Sequence, residues 1–182
     1  MHHDGHMTDH DVYRICLVCS GNICRSPMAE VVLRQLAEEA GLADLMQISS
    51  AGTGDWHIGE RADRRTVAAL SSAGYDGSLH RAQQFDPRWF DQLDLVVACD
   101  RGHQRTLWSW AQQDQERAKV VLLTGFAPDP PSGAVDVDVP DPYYSDQQAF
   151  DDVLGRIEAC CRGLLDQVRE QMGQHAAQPG IG

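Results

Sequence analysis

The sequence predicts an α/β fold: one domain with a four-stranded parallel sheet flanked by helices on both faces. Three observations carry this expectation. Short, apolar, β-prone runs alternate along the chain with segments of helical periodicity, the order that parallel strands joined by crossover helices require. The helical patterns fall between successive strands, where they cover both faces of one sheet. Finally, 182 residues with 42% hydrophobic and 23% charged content suit a single core. That domain is expected over residues 11–172. Residues 1–10 read as a tag-like or disordered N-terminus, with a vector remnant up to a native start at Met7, and residues 173–182 as a disordered tail.

The first strand is Val12-Tyr13-Arg14-Ile15-Cys16-Leu17-Val18, and the helix after it opens at Pro27, where a missing N–H does no harm, and continues to Leu36. A second strand covers Met46 to Ala51, a third Leu93 to Cys99 and a fourth Val120 to Leu123. Helical patterns lie at about Arg61 to Ala73, Arg101 to Gln112 and Asp146 to Met172. The last carries Phe150, Val153, Leu154, Ile157, Cys161, Leu164, Leu165 and Val168 at helical spacing, the mark of a core-facing stripe. Between Phe126 and Pro140 the chain is rich in Pro, Gly and Asp and shows no regular pattern.

In such sheets ligands bind beyond the carboxyl ends of the strands, which is where the loop Cys19-Ser20-Gly21-Asn22-Ile23-Cys24-Arg25-Ser26-Pro27 falls. A helix N-terminus offers unpaired N–H groups and partial positive charge, and so binds anions. Thiols at helix N-termini and near cations have their pKa lowered from roughly 8.5 to about 3.5–7.5, so a nucleophilic thiolate is expected at Cys19. Arg25 provides a planar fork for two oxygens of a phosphate. Ser26 is expected to donate a hydrogen bond to the sulfur, Ser20 to contribute mainly a backbone amide, Gly21 to take positive φ so that successive amides turn inward, and Asn22 to brace the loop. No Lys-Ser/Thr pair follows Gly21, so the loop is not of the nucleotide-triphosphate type. Cys16 and Cys19 stand three apart on a strand and face opposite sides, against a zinc or redox pair.

The formal net charge of −12 argues against nucleic acid or an anionic membrane as partner, which makes the phosphate loop a local positive spot in a negative field. Six cysteines lack the paired spacings of a secreted scaffold, and no apolar run approaches the ~20 residues of a membrane span. With no signal peptide visible, the expectation is a cytoplasmic protein, export by a route without a cleavable signal being left open. His57, His103 and His175 lack clustering with other ligand types, so no metal and no cofactor are expected.

Releasing an oxygen leaving group needs a proton donor, and the candidate is Asp141 in Asp138-Val139-Pro140-Asp141-Pro142-Tyr143-Tyr144. Flanking prolines stiffen the loop and reduce the entropy lost in holding the carboxyl in place. Asp136 and Asp138 are weaker alternatives because nothing rigidifies them.

The chain resembles the low-molecular-weight protein tyrosine phosphatases of bacterial type. The residues that carry the resemblance are Val18 to Glu30, Ser50-Ala51-Gly52-Thr53-Gly54-Asp55-Trp56-His57, His80-Arg81-Ala82 and Asp141-Pro142-Tyr143-Tyr144, in the family's order over about residues 12–170. The resemblance implies the family's four-stranded fold and metal-free, cofactor-free hydrolysis of phosphotyrosine in proteins. It implies Cys19 as nucleophile, Arg25 as phosphate clamp and Asp141 as general acid, with inorganic phosphate as product. Ser20, Gly21, Asn22, Ile23, Cys24 and Ser26 then form the phosphate-binding loop, Ser50 and His80 its supporting network, and Trp56, His57, Tyr143 and Tyr144 the walls around the substrate. A monomer is expected.

Three alternatives stand beside this one. Arginine phosphatases tend to carry threonine where this chain has the bulky Ile23, which favours the aryl ester. Arsenate reductases share the scaffold but need further thiols, for which Cys99, Cys160 and Cys161 are the candidates. A non-catalytic phosphotyrosine-binding module would lack the nucleophile or the acid, and both are present. Cys24, beside Cys19, is expected to trap an oxidised Cys19 as a reversible disulfide.

Overall fold

Alternation along the first strand sets the architecture. The computed structural model describes residues 12–130 and 136–176, so the expectations for the N-terminal remnant, the last six residues and part of the Phe126 to Pro140 stretch lie outside the described residues. In β1 (Tyr13–Cys19), Ile15, Leu17 and Cys19 point to one face of the sheet while Cys16 and Val18 point to the other. Both faces are apolar, so the strand is buried on both and sits centrally. It pairs in parallel with β2 (Met46–Gly52) on one side and β3 (Leu95–Ala98) on the other, and β4 (Val120–Leu122) adds to β3, giving the order β2-β1-β3-β4.

The Leu17 face is covered by α1 (Arg25–Glu39), α2 (Arg64–Ser72) and α5 (Gln147–Ala176), whose Met28, Leu33, Leu70, Phe150, Ile157 and Leu164 are fully buried. The opposite face packs on α3 (Arg101–Trp110) and on a short 3-10 segment (Pro87–Asp91), through Leu107, Phe85 and Phe90. Phe85 stacks on Trp110 with ring centroids 6.3 Å apart and meets Phe90 edge-on at 5.2 Å, so this smaller core is built on aromatic contacts. Trp110 is thus a packing residue and Trp108 a partly exposed one.

Two departures from the sequence reading are local. The helix α4 (Asp114–Lys119) fills what periodicity left as a connector; it is too short to show an apolar stripe, and Glu116 Oε2 fixes its start by accepting from Gln113 N at 3.1 Å. The last helix runs four residues past Met172, to Ala176.

Leu17 is fully buried in the central strand. Replacing it with alanine is expected to lower the unfolding free energy by about 2–5 kcal/mol, read as an earlier urea midpoint with an unchanged slope.

Candidate active site

The chain between Cys19 and Arg25 must turn from the end of β1 into the first turn of α1, and it does so around Asn22, whose φ of 58° lies in the left-handed region. Sequence reasoning assigned that conformation to Gly21; the structure gives it to Asn22, a residue that tolerates it and whose amide can be satisfied locally. Gly21 is small for another reason. A Cβ there would lie 2.9 Å from the His57 ring.

Asn22 is held on all sides. Its Nδ2 donates to Ser26 Oγ at 2.8 Å and Ser50 Oγ at 2.9 Å, its Oδ1 accepts from Gln83 N at 2.9 Å, and its carbonyl accepts from His80 Nε2 at 2.7 Å. Ser26 Oγ accepts from Asn22 and lies 2.9 Å from Cys19 Sγ and 3.5 Å from Ala51 O, so the sulfur is the nearer partner for its single proton. The loop's first carbonyls are fixed too, Cys19 O by Thr53 N at 2.9 Å and Ser20 O by Gly54 N at 3.0 Å. This close approach needs Gly52, where a Cβ would sit 2.6 Å from Ser20 O.

Arg25 is 3% exposed. Its Nη1 donates to Asp100 Oδ2 and to Val139 O, both at 2.9 Å, and its Nη2 lies 3.6 Å from Asp141 Oδ2. Burial opposes its charge, but the surrounding acidic groups Cys99, Cys19, Asp141 and Asp100 outweigh burial and hold the guanidinium above its ordinary value.

Asp141 is solvent-exposed, with Oδ1 accepting from Tyr143 N at 3.1 Å in an Asx turn. Its loop is tied down by Arg65, which donates to Tyr143 O at 2.9 Å and Ser145 O at 2.8 Å and lies over the Tyr143 and Phe150 rings. Arg65 is itself clamped by Asp63, the N-cap of α2. Asp138, the alternative carboxylate, receives Arg101 N at 2.8 Å and the Arg101 guanidinium, which holds its carboxyl below the usual range; it is a strut for α3. Asp136 has a φ of 58°, and its carbonyl accepts from Arg156.

These groups meet in a cavity of about 450 Å³. Cys19, Ser20, Gly21, Ile23, Cys24 and Arg25 line it from the loop, and Trp56, His57, Asp141, Tyr143 and Tyr144 from the rim. Asn22, Ser26, Ser50 and His80 are buried behind the loop and do not line it. Trp56 is 69% and Tyr144 93% exposed, and His57 is held by Glu60 through Nδ1 at 2.7 Å. Cys24 borders the cavity but is 5% exposed, and burial pushes its thiol up to about 12 with Asp63, Cys19 and Asp141 adding to the shift. It rests as a neutral thiol. All six cysteines are free and buried.

Comparison with known proteins decides the family. The family model described as low molecular weight phosphotyrosine protein phosphatase matches residues 14–174. The chain belongs to this family. Among the low-molecular-weight phosphatases, a protein-tyrosine-phosphatase of Streptomyces coelicolor is 52% identical over 165 residues, covering 91% of this chain and 99% of that one. Protein-tyrosine phosphatase A of Mycobacterium tuberculosis is 42% identical over 165 residues, covering 91% and 97%. The crystal structure of YfkJ from Bacillus subtilis aligns with a TM-score of 0.80 at 32% identity, covering 92% of this chain and 99% of that chain.

The sequence reading of this phosphatase missed Asp100 and His103. Asp100 caps α3 by accepting from His103 N at 2.9 Å while binding Arg25, and His103 Nε2 lies 2.8 Å from Ser20 Oγ. Ser20 therefore contributes a side chain as well as an amide. The available signal was position: Asp100 follows the carboxyl end of the third strand, where sites in such sheets assemble.

His103 is 4% exposed, and burial pushes its pKa down to about 4, with Arg25 acting in the same direction and Asp100, Asp141 and Asp138 opposing. Between about pH 6.5, where an unfolded histidine titrates, and about pH 4, the unfolded chain binds a proton that the folded chain refuses. The contribution is therefore intact above pH 6.5 and is lost as pH falls, by on the order of 3 kcal/mol. Urea denaturation at pH 7 and pH 4.5 is expected to show a larger loss for the parent than for His103→Gln. Separately, Asn22→Ala leaves Ser26 Oγ, Ser50 Oγ and Gln83 N each short of a partner and puts alanine at positive φ, and is expected to cost about 2–4 kcal/mol in the same assay.

Proposed function

We propose that this chain hydrolyses phosphotyrosine in proteins through a cysteinyl-phosphate intermediate, without metal or cofactor. The observation that carries the reading is Cys19 Sγ, 2.9 Å from Ser26 Oγ inside a loop that also holds the buried Arg25 and shares one cavity with Asp141. The loop leads from this sulfur into the N-terminus of α1, whose unpaired N–H groups and partial positive charge suit a bound anion. In the first step an S–P bond forms as the P–O bond to the tyrosyl oxygen breaks, and Asp141 passes its proton to that oxygen. In the second, water attacks phosphorus, Asp141 takes the water's proton, and the S–P bond breaks to return the thiolate and release phosphate. Charge on the transferring group spreads over its equatorial oxygens, where the loop amides and Arg25 meet it.

Aryl preference follows from the walls. Trp56, Tyr143 and Tyr144 line the cavity and offer aromatic surface to a phenyl ring, which a short seryl ester does not reach. Phenol, with a pKa near 10, is also the easier leaving group. Ile23 lines the cavity as an apolar group, in keeping with the aryl ester over phosphoarginine. Cys99, Cys160 and Cys161 are fully buried, which disfavours their use as an exposed thiol relay for arsenate reduction.

Turnover of a phosphotyrosine peptide is expected in the presence of a chelator, with phosphoserine peptide, phosphoarginine and arsenate inert. Cys19→Ser is expected to abolish it, and Asp141→Ala to lower kcat by about 10²–10⁴-fold. Acid quench should trap phosphate on Cys19. Metal-dependent turnover, or turnover that survives loss of Cys19, contradicts the proposal.

A further inference from the structure

One buried imidazole in the site takes no part in the two displacements. His103 sits in the first turn of α3 with Nε2 2.8 Å from Ser20 Oγ and Nδ1 3.2 Å from Asp100 Oδ1. Nδ1 is buried and, among the described residues, makes no well-formed hydrogen bond. Asp100 also accepts from His103 N through Oδ1 and from Arg25 Nη1 through Oδ2.

We propose that His103 is a positioning residue for the phosphate loop: its neutral ring keeps a proton on Nδ1 toward Asp100, accepts the Ser20 hydroxyl proton at Nε2, and so joins both ends of the loop through one carboxylate. The proposal rests on reading the Cys19 loop as the phosphate site.

The proton assignment follows from the partners. A neutral imidazole has one N–H and one lone pair. A lone pair at Nδ1 would face the Asp100 carboxylate at 3.2 Å, acceptor against acceptor, so the proton belongs there. Nε2 is then an acceptor, and Ser20 Oγ must donate to it. A second proton on the ring is opposed by burial and by Arg25, against attraction from Asp100, Asp141 and Asp138. The result is a closed circuit from Ser20 through His103 and Asp100 to Arg25. It commits the Ser20 proton to His103 and leaves the bond to Cys19 Sγ to Ser26. Loss of the circuit frees the first turn of the loop and one anchor of the Arg25 fork, which moves the amides and the guanidinium relative to each other.

Two measurements test this. Long-range ¹H–¹⁵N NMR of the parent reads the His103 ring without any turnover: a neutral Nδ1–H tautomer is expected at pH 7 and still at pH 5.5, and an Nε2–H tautomer or an imidazolium at pH 5.5 overturns the proposal. The second is a cycle of Ser20→Ala, His103→Leu and their double variant, followed by kcat on a phosphotyrosine peptide and by Ki for inorganic phosphate. Each single change is expected to lower kcat and raise Ki by about tenfold, with the double no worse than the poorer single. His103→Gln, whose amide reaches the Nε2 position and keeps the Ser20 bond but not the Asp100 one, is expected to fall between the parent and His103→Leu. Losses that multiply to about a hundredfold in the double variant, or a Ser20→Ala enzyme equal to the parent, overturn the proposal. If His103→Leu does not fold, Ser20→Ala and His103→Gln carry the same comparison. A parent that neither turns over the peptide nor binds phosphate counts against the proposed function, and the tautomer measurement then decides the present inference alone.

Discussion

The geometry of the site depends on one unfavourable backbone conformation. Between the end of β1 and the start of α1 the chain passes through the left-handed region at Asn22, a conformation that costs a non-glycine residue on the order of 1–3 kcal/mol. That cost is offset by hydrogen bonds from four separate places: Ser26 in α1, Ser50 in β2, and His80 and Gln83 in the connector after α2. The connector is in turn registered against β2, since Gly52 N donates to Gln83 O and Phe85 N to Gly52 O, both at 2.8 Å. Remote parts of the fold thus converge on a single residue, three on its side chain and His80 on its carbonyl.

Electrostatics works at two ranges. The chain as a whole is strongly acidic, with a formal net charge of −12. Within the cavity, however, the buried Arg25 is the cation, and its partners Asp100 and Asp141 keep it charged. The guanidinium is therefore a local positive spot in a chain whose overall field is negative.

The parts of this architecture that were legible in the sequence are those with a local signature. Apolar runs of about the right length and the long stripe from Phe150 to Val168 marked the strands and the last helix, because burial on one or both faces dictates their periodicity. The turn from Cys19 into the following helix was legible because an apolar strand ends there and a helical pattern with proline in its first turn begins. The six-residue α4 was not, since it is shorter than the period that reveals a helix. Gly21 was misjudged because propensity favours glycine at positive φ, whereas here tertiary hydrogen bonds select Asn22. The contacts of His103 and Asp100 with the loop were not legible, His103 having been weighed only as a metal ligand, because they meet Ser20 and Arg25 from some 75 to 83 residues away and no local pattern records that encounter.

The segment that opens α2 touches both halves of the site. Asp63 N and Thr66 Oγ1 both donate to Ile23 O, at 2.9 and 3.1 Å, while Arg65 between them grips the carbonyls of Tyr143 and Ser145. The spacing between sulfur and carboxyl is therefore gauged by three neighbouring residues of one helix. Such a jig couples the two lips of the chamber, so a change at the start of α2 would be felt at Ile23 and at Tyr143 together.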